Sequence, residues 1–189
     1  MDTERPETMV EDDVVELLIH QHATIRDLFA EVNDREGQER RDAWERLVRL
    51  LAVHETIEVE IVHPMARRSI AGGDGVVSDC LDEENHAKHL LSELDGKDPD
   101  TPEFLTLLAS LRVEVLEHAR SEERYELAHL AQVSDARDRS SMASMAKAAA
   151  ALAPTHPHPG AESATANVLV GTPMGMMDRA RDVLRKARP

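Results

Sequence analysis

The sequence has few aromatic residues and a single cysteine. Phenylalanine, tryptophan and tyrosine together make up 2% of its 189 residues, so the interior must be built from aliphatic side chains, which favours helices over strands. The lone cysteine, Cys80, excludes an intramolecular disulfide and a cysteine-rich zinc site. There is no run of about 18 apolar residues, and the acidic N-terminal segment lacks the apolar stretch of a signal peptide. We therefore expect a cytoplasmic protein with no membrane partner.

The charge of the chain has one dominant sign. It carries 37 acidic and 22 basic side chains, for a formal net charge of −15. Because like charges repel, this charge argues against a nucleic-acid partner. Hydrophobic residues at 41% and charged residues at 31% are typical of a folded globular protein.

Helical periodicity occurs in four stretches that are separated by glycine- and proline-containing breakers. The stretches cover roughly residues 12–32, 40–69, 78–94 and 101–133. Short connections between such helices predict an all-α fold, an up-down antiparallel four-helix bundle over residues 11–133. We expect a flexible N-terminus over 1–10, an additional alanine-rich helix over 134–153, and an extended tail over 154–189. That tail begins with a proline-rich linker and ends in a short amphipathic segment.

Each of the four predicted helices carries polar residues on its otherwise apolar stripe. Burying one such group without a partner costs about 2–7 kcal/mol, so six of them would not be tolerated in a dry core. A pair of metal ions would replace the lost hydration and neutralise the carboxylates. Imidazole and carboxylate without thiolate suit iron or manganese better than structural zinc. The predicted ligands are His22, His54, Glu58, Glu84, His118 and Glu122.

The spacing His-x-x-x-Glu is a weak signal by itself. It also occurs at His89/Glu93, off the apolar stripe, and at His158/Glu162, in the proline-rich linker. Chance supplies about one such pair in a chain of this composition. Chance does not readily place a metal-competent residue on all four stripes, and this coincidence carries the prediction.

These segments resemble the hemerythrin-like, or HHE cation-binding, family. The motifs are LIHQHATIRDLF in the first helix, VHETIEVEIVHPMAR in the second, LDEENHAKHLLSEL in the third and LEHARSEERYEL in the fourth. The resemblance implies a four-helix bundle around a non-heme di-iron centre, two Fe ions with an oxo or hydroxo bridge, and oxygen-related chemistry or gas binding. Glu58 and Glu122 would bridge the irons, and the other four residues would be terminal ligands.

The third helix departs from the pattern of the oxygen carriers. They place a pair of histidines where this chain has Glu84, with Lys88 one turn further on. His86 is the rival ligand, but it lies about 200° around the helix from the apolar stripe. We therefore prefer Glu84. His20, His63, His86 and His89 are interpreted as surface or rim histidines, with His63-Pro64 marking a kink or end of the second helix.

Tyr125, the only tyrosine, lies three residues beyond Glu122 on the same predicted stripe. One interpretation is a core aromatic whose hydroxyl finds a partner. The other is a catalytic role, in which the phenol donates a proton to a ligand or to bound oxygen, or itself binds the metal.

Three histidines and three carboxylates form a harder, more anionic ligand set than that of an oxygen carrier. Such a set stabilises Fe(III), so we expect reaction with peroxide rather than oxygen transport, with O2, H2O2 or NO as the small-molecule ligands. The alternatives are an iron, oxygen or NO sensor that signals through residues 134–189, and O2 binding or storage. The sequence names no protein partner.

Overall fold

The computed structural model describes residues 12–152, and these residues form five continuous helical stretches without a strand. The predicted N-terminal segment 1–10 and the predicted tail 154–189 lie outside this range. Two of the five stretches contain a π-helical turn, here called πA (Glu58–Val62) and πB (Glu123–Leu127). The α-helices are α1 (Val14–Asp34), α2 (Gly37–Ile57), α3 (His63–Ser69), α4 (Gly73–Leu94), α5 (Pro102–Glu122), α6 (Ala128–Val133) and α7 (Ala136–Leu152).

Local sequence explains where several helices begin. The Asp13 carboxylate accepts a hydrogen bond from the Val15 amide and caps α1. Thr101 caps α5 in the same way, directly before a proline that is favoured in the first helical turn. The glycine-rich segment that we expected to be a loop instead starts α4 five residues earlier than predicted. Gly72 takes a φ of +75° there, which allows a tight turn from α3 into α4.

Each π-helical turn lies inside a helix that continues on both sides. The backbone stays in the right-handed helical region at both ends of πA and πB, so residues 37–69 and 102–133 are uninterrupted. A π turn contains one residue more than an α turn and therefore shifts the buried stripe by one position. Beyond πA the core receives Val62 and Ala66, whereas a regular α-helical repeat continued from Glu58 would bury Ile61 and Met65, which are only half-buried.

Most of the buried apolar side chains form two clusters, one on each side of a polar layer. The aromatic end contains Ile25, Leu28, Phe29, Val32, Ala43, Leu47, Leu51, Ala87, Leu94, Phe104, Leu108, Leu111 and Val115. The π end contains Val14, Val15, Leu18, Ile57, Val62, Ala66, Ile70, Val77, Leu127, Leu130, Met142, Ala143 and Ala146.

The additional helix α7 packs against α1 and α2 and contributes Met142, Ala143 and Ala146 to the π end. At the aromatic end, the Trp44 ring meets the Phe104 ring edge-on, with centroids 5.1 Å apart. The most extensive helix–helix contacts are between α1 and α2 and between α4 and α5. Within residues 12–152, no helix combines the length and the apolar character that crossing a membrane requires.

Candidate metal centre

All six predicted ligand residues lie in the polar layer between the two apolar clusters. Each is at most 7% exposed. They come from α1, α2, πA, α4 and α5, so the layer draws on all four of the long helical stretches that the sequence predicted. The structure therefore brings together side chains that are up to 100 residues apart in the chain.

The first group of potential ligands contains His22, His54, Glu58 and Glu122. One ligand atom from each lies within 4.8 Å of the others. His22 Nε2 is 2.9 Å from His54 Nε2 and 3.0 Å from Glu122 Oε2. Glu58 Oε1 is 2.9 Å from His54 Nε2. Four donor atoms at these separations surround a point where a single cation fits.

A second group contains Glu58, Glu84 and His118, again with ligand atoms within 4.8 Å of one another. His118 Nε2 is 3.8 Å from Glu58 Oε1. Glu58 belongs to both groups, which places it between two candidate cation positions. Glu84 lies in this group and is buried, whereas His86 is exposed on the outer side of α4.

The outward-facing Nδ1 of each ligand histidine contacts an acceptor oxygen. A ring that donates from Nδ1 presents the lone pair of Nε2 to the interior, as metal binding requires. The two Nε2 atoms of His22 and His54, which face each other, can then share only a proton or a cation. The acceptors are Glu123 for His22 at 2.8 Å, Gln21 for His54 at 2.8 Å and Glu83 for His118 at 3.1 Å.

Sequence reasoning missed these three acceptors, although a signal was present. Each acceptor is next in sequence to a predicted ligand and lies on a different helix from the histidine that it contacts. Gln21 precedes His22, Glu83 precedes Glu84, and Glu123 follows Glu122. One residue of each doublet faces the centre, and the other supports a histidine across the helix interface.

Several buried atoms in this layer have no hydrogen bond. Among the predicted ligands they are Glu58 Oε1, Glu84 Oε2, His118 Nε2 and both carboxylate oxygens of Glu122. A buried unpaired carboxylate oxygen costs about 1–3 kcal/mol or more. Bound cations would satisfy all of these atoms, and the nitrogen and oxygen donors suit iron. The residues present therefore fit a metal centre.

The electrostatics of the layer couple its carboxylates to its histidines. Burial opposes the ionisation of Glu58, but the imidazoles of His54 and His118 outweigh it and hold the pKa of this carboxyl well below its usual range. Burial likewise opposes the charging of His118, yet Glu58 and Glu83 raise its pKa well above the ordinary value. Without metal, protons therefore take the place that cations would occupy.

A scan of protein families matches residues 13–130 to the hemerythrin HHE cation-binding domain. The chain belongs to this family. The matched range contains all six predicted ligands and ends before α7. The expected family membership is thus confirmed, and the His/Glu cluster of this HHE domain can hold a metal ion.

Two known proteins are similar to the chain. The crystal structure of a hemerythrin HHE cation-binding domain-containing protein from Mycobacterium kansasii superposes with a TM-score of 0.64 at 20% identity, covering 74% of this chain and 88% of that one. This likeness shows the fold. A DNA nickase from Nostoc sp. is 27% identical over 103 residues, which is 54% of this chain but 29% of the relative. The chain thus spans less than a third of the length of that relative.

The prediction that His63 lies at the surface is wrong. The side chain is 3% exposed, and it lies between two carboxylates of the HHE domain. Its Nε2 is 2.8 Å from Glu84 Oε1 and its Nδ1 is 2.9 Å from Glu126 Oε1. The Cys80 thiol is 3.4 Å from the other Glu126 oxygen. πA causes this placement, because it lets His63, five residues after Glu58, face the same interior.

The predicted position of Tyr125 is also wrong. Its side chain is 48% exposed and lies under the Arg124 guanidinium, 5.2 Å from the ring centroid. πB turns Glu126 inward in its place, fully buried. The structure thus supports neither the core role nor the catalytic role predicted for Tyr125.

A cavity of about 50 Å³ adjoins the metal layer on the side of the aromatic end. Its walls include the ligands His22, His54, Glu58, Glu84 and His118. The rest of the lining is apolar apart from Lys88 and Glu55, which form an ion pair at 3.0 Å. Burial and the charges of Glu84 and Glu58 raise the pKa of Glu55 to about 7, although Lys88 opposes this shift.

Proposed function

We propose that the first four helical stretches form an up-down bundle that holds two iron ions, and that the protein reacts with oxygen species, above all peroxide. The observation that carries this proposal is the pair of ligand groups that share Glu58. Inward-facing carboxylates and histidines from four helices are the usual construction of a two-metal site in a helical bundle.

The ligand set favours redox chemistry over reversible oxygen transport. Three carboxylates with three neutral histidines stabilise the ferric state, whereas a carrier must regain ferrous iron at each release. When bound, the iron supplies Lewis-acid and redox chemistry. The chain holds the ligands in place through Gln21, Glu83 and Glu123, and the apolar clusters on both sides limit the access of water.

A nucleic-acid substrate is not part of the proposal, although one relative is named a DNA nickase. The similarity covers 29% of that protein, so its activity can belong to the rest of its chain. The net charge of −15 also opposes binding to a phosphate backbone.

Iron content tests the site. We expect protein prepared with iron to contain about two iron ions per chain and to show ferric charge-transfer absorption in the near ultraviolet. Replacing Glu58 with Ala should remove most of this iron, because both groups lose a ligand. Glu117→Ala, an exposed change on α5, is the matched control and should keep it. A colourless wild-type protein without iron would refute the proposed site.

Peroxide consumption tests the reaction. Loaded wild-type protein should remove hydrogen peroxide through many turnovers, and the Glu58→Ala variant should not. The sensory alternative predicts no turnover and a protease sensitivity of residues 153–189 that changes with the iron state. Because α7 packs into the π end, a truncation that probes the tail should keep residues up to 152.

A further inference from the structure

We propose that the Lys88 ammonium and the second ligand group form a binding site for a small anion in the cavity of the metal layer. Lys88 would act as a ligand-binding residue, and Glu55 would compensate its charge while no anion is bound. This inference rests on the proposed two-iron site, since the anion would lie between the ammonium and the metal position at Glu58, Glu84 and His118.

The position of Lys88 supports this role. The residue is 3% exposed although lysine is almost never fully buried, and it lies on α4 one turn beyond Glu84. Its Nζ is 3.0 Å from Glu55 Oε1 and 3.5 Å from Glu84 Oε2. The two carboxylates compensate the charge, and because an ammonium has three N–H donors, at least one remains available to a third group.

The cavity beside Lys88 has the size and the lining that a small anion requires. Its volume of about 50 Å³ exceeds the 10–15 Å³ that one water molecule occupies, so it admits a molecule of a few heavy atoms. Apart from Lys88, Glu55 and the metal ligands, its walls are Ile25, Leu51, Ala87, Leu91, Val115, Leu116 and Ala119. In such apolar surroundings a single ammonium acts strongly on a charged ligand.

The charge arrangement favours an anion over a neutral gas. An ammonium next to a cation position repels the metal, and Glu55 offsets this repulsion. An anion between the two positive groups is attracted by both, whereas NO or O2 gains little from the ammonium. Hydroperoxide belongs to the favoured class, and azide is a stable probe of the same charge and size.

Azide binding to the iron-loaded full-length protein tests the inference, and the charge-transfer absorption of bound azide measures it. We expect Lys88→Met to keep its iron and to raise the Kd for azide by about tenfold or more, because a charge-assisted hydrogen bond is lost. The Kd for NO should change by less than about twofold, because NO carries no charge to interact with the ammonium. Lys97→Met, which removes a lysine paired with Glu103 away from the cavity, is the control and should leave both constants unchanged.

A second variant keeps the test decisive if Lys88→Met loses iron or fails to fold. Glu55→Gln preserves the shape of its side chain and removes the charge that competes for the ammonium, so azide should bind a few-fold more tightly with NO unaffected. Unchanged azide binding in iron-loaded Lys88→Met, or weaker azide binding in Glu55→Gln, would overturn the role of Lys88 while the iron site stands. A wild-type protein without iron would instead overturn the proposed function, and this inference with it.

Discussion

The aromatic end and the π end border the same metal layer but are built differently. The aromatic end consists of regular α-helices whose buried side chains, Phe29 and Phe104 among them, are apolar apart from Arg40, which donates hydrogen bonds to the Val32 and Pro99 carbonyls. The π end contains both π-helical turns and a buried polar network of His63, Glu126 and Cys80. The comparison teaches that helical periodicity describes the first end well, whereas one extra residue in a turn changes which side chains the second end buries.

The two ends also hold Glu84 from opposite directions. At the π end, His63 Nε2 contacts Glu84 Oε1 at 2.8 Å. On the other side, Lys88 Nζ approaches Glu84 Oε2 at 3.5 Å. The His63 contact fixes the orientation of this carboxylate, as a metal ligand requires. The polar network of the π end therefore supports the metal layer even though His63 is not among its ligands.

Single-residue deletions should reveal the largest difference between the two ends, because their effect on folding depends on whether the deleted residue lies in an α turn or a π turn. Deleting Arg49, an exposed residue in the regular part of α2, should rotate one side of the helix by about 100° relative to the other. Leu47 and His54 could then no longer both face the core. We expect this variant to lose cooperative thermal unfolding. Deleting Glu60 from πA should instead convert the turn to an α turn and leave the flanking residues in phase.

The Glu60 deletion should therefore still fold and bind iron, with a loss of stability in the ordinary range of about 0.5–3 kcal/mol. Glu60→Ala is its control, since it removes the half-buried side chain but keeps the turn. If both deletions unfolded the protein equally, the π turn would not be an accommodated extra residue.

Replacing Phe104 with Ala should cost about 3–5 kcal/mol of unfolding free energy. The side chain is fully buried, and its replacement would leave a cavity and remove the edge-on contact with Trp44.

Met142→Ala, at the π end, should cost about 2–5 kcal/mol of unfolding free energy and tests how much α7 contributes to the core. Urea unfolding measures both values. A loss below about 1 kcal/mol for Met142→Ala would mean that α7 adds little to the fold.

The pH dependence of stability should arise in the metal layer and the π end. Burial opposes the charging of His63 and His118, but neighbouring carboxylates raise their pKa values well above the ordinary one. Without metal, the folded protein keeps these protons at a pH above about 6.5, where the unfolded chain has released them. The free energy of unfolding should therefore fall as the pH rises through the folded-state pKa values.

Bound iron should make the free energy of unfolding fall less with rising pH, because metal takes the place of the protons and binds more tightly as the ligands deprotonate. Denaturant titrations of metal-free and loaded protein between pH 6 and about 9 check both statements. In the metal-free protein, His63→Leu should make the free energy of unfolding fall less steeply with pH. Replacement of the exposed His86 with Ala should leave this pH dependence unchanged. A slope unaffected by His63→Leu would assign the pH dependence to other groups.

The sequence predicts the buried residues correctly in those parts of the helices that keep a regular α-helical repeat. Steps of three and four residues predict His22, His54 and His118 as interior residues, and each lies upstream of any π turn on its own helix. The same steps fail at Ile61 and Tyr125, because nothing in the local composition distinguishes a π turn from an α turn. His63 was misassigned for the same reason.

The smallest effect is expected for Tyr125, and its replacement tests the boundary of the candidate site. The ring is half-exposed beside Arg124, and its backbone carbonyl accepts a hydrogen bond from His129 on the outer surface. Tyr125→Phe should therefore leave iron content and peroxide consumption unchanged and alter stability by less than about 0.5 kcal/mol. Glu126→Gln, one position further along πB, is the informative comparison, because it removes a buried charge from His63 and should lower stability measurably. If Tyr125→Phe slowed peroxide consumption without loss of iron, πB would have to present the phenol to the interior during the reaction.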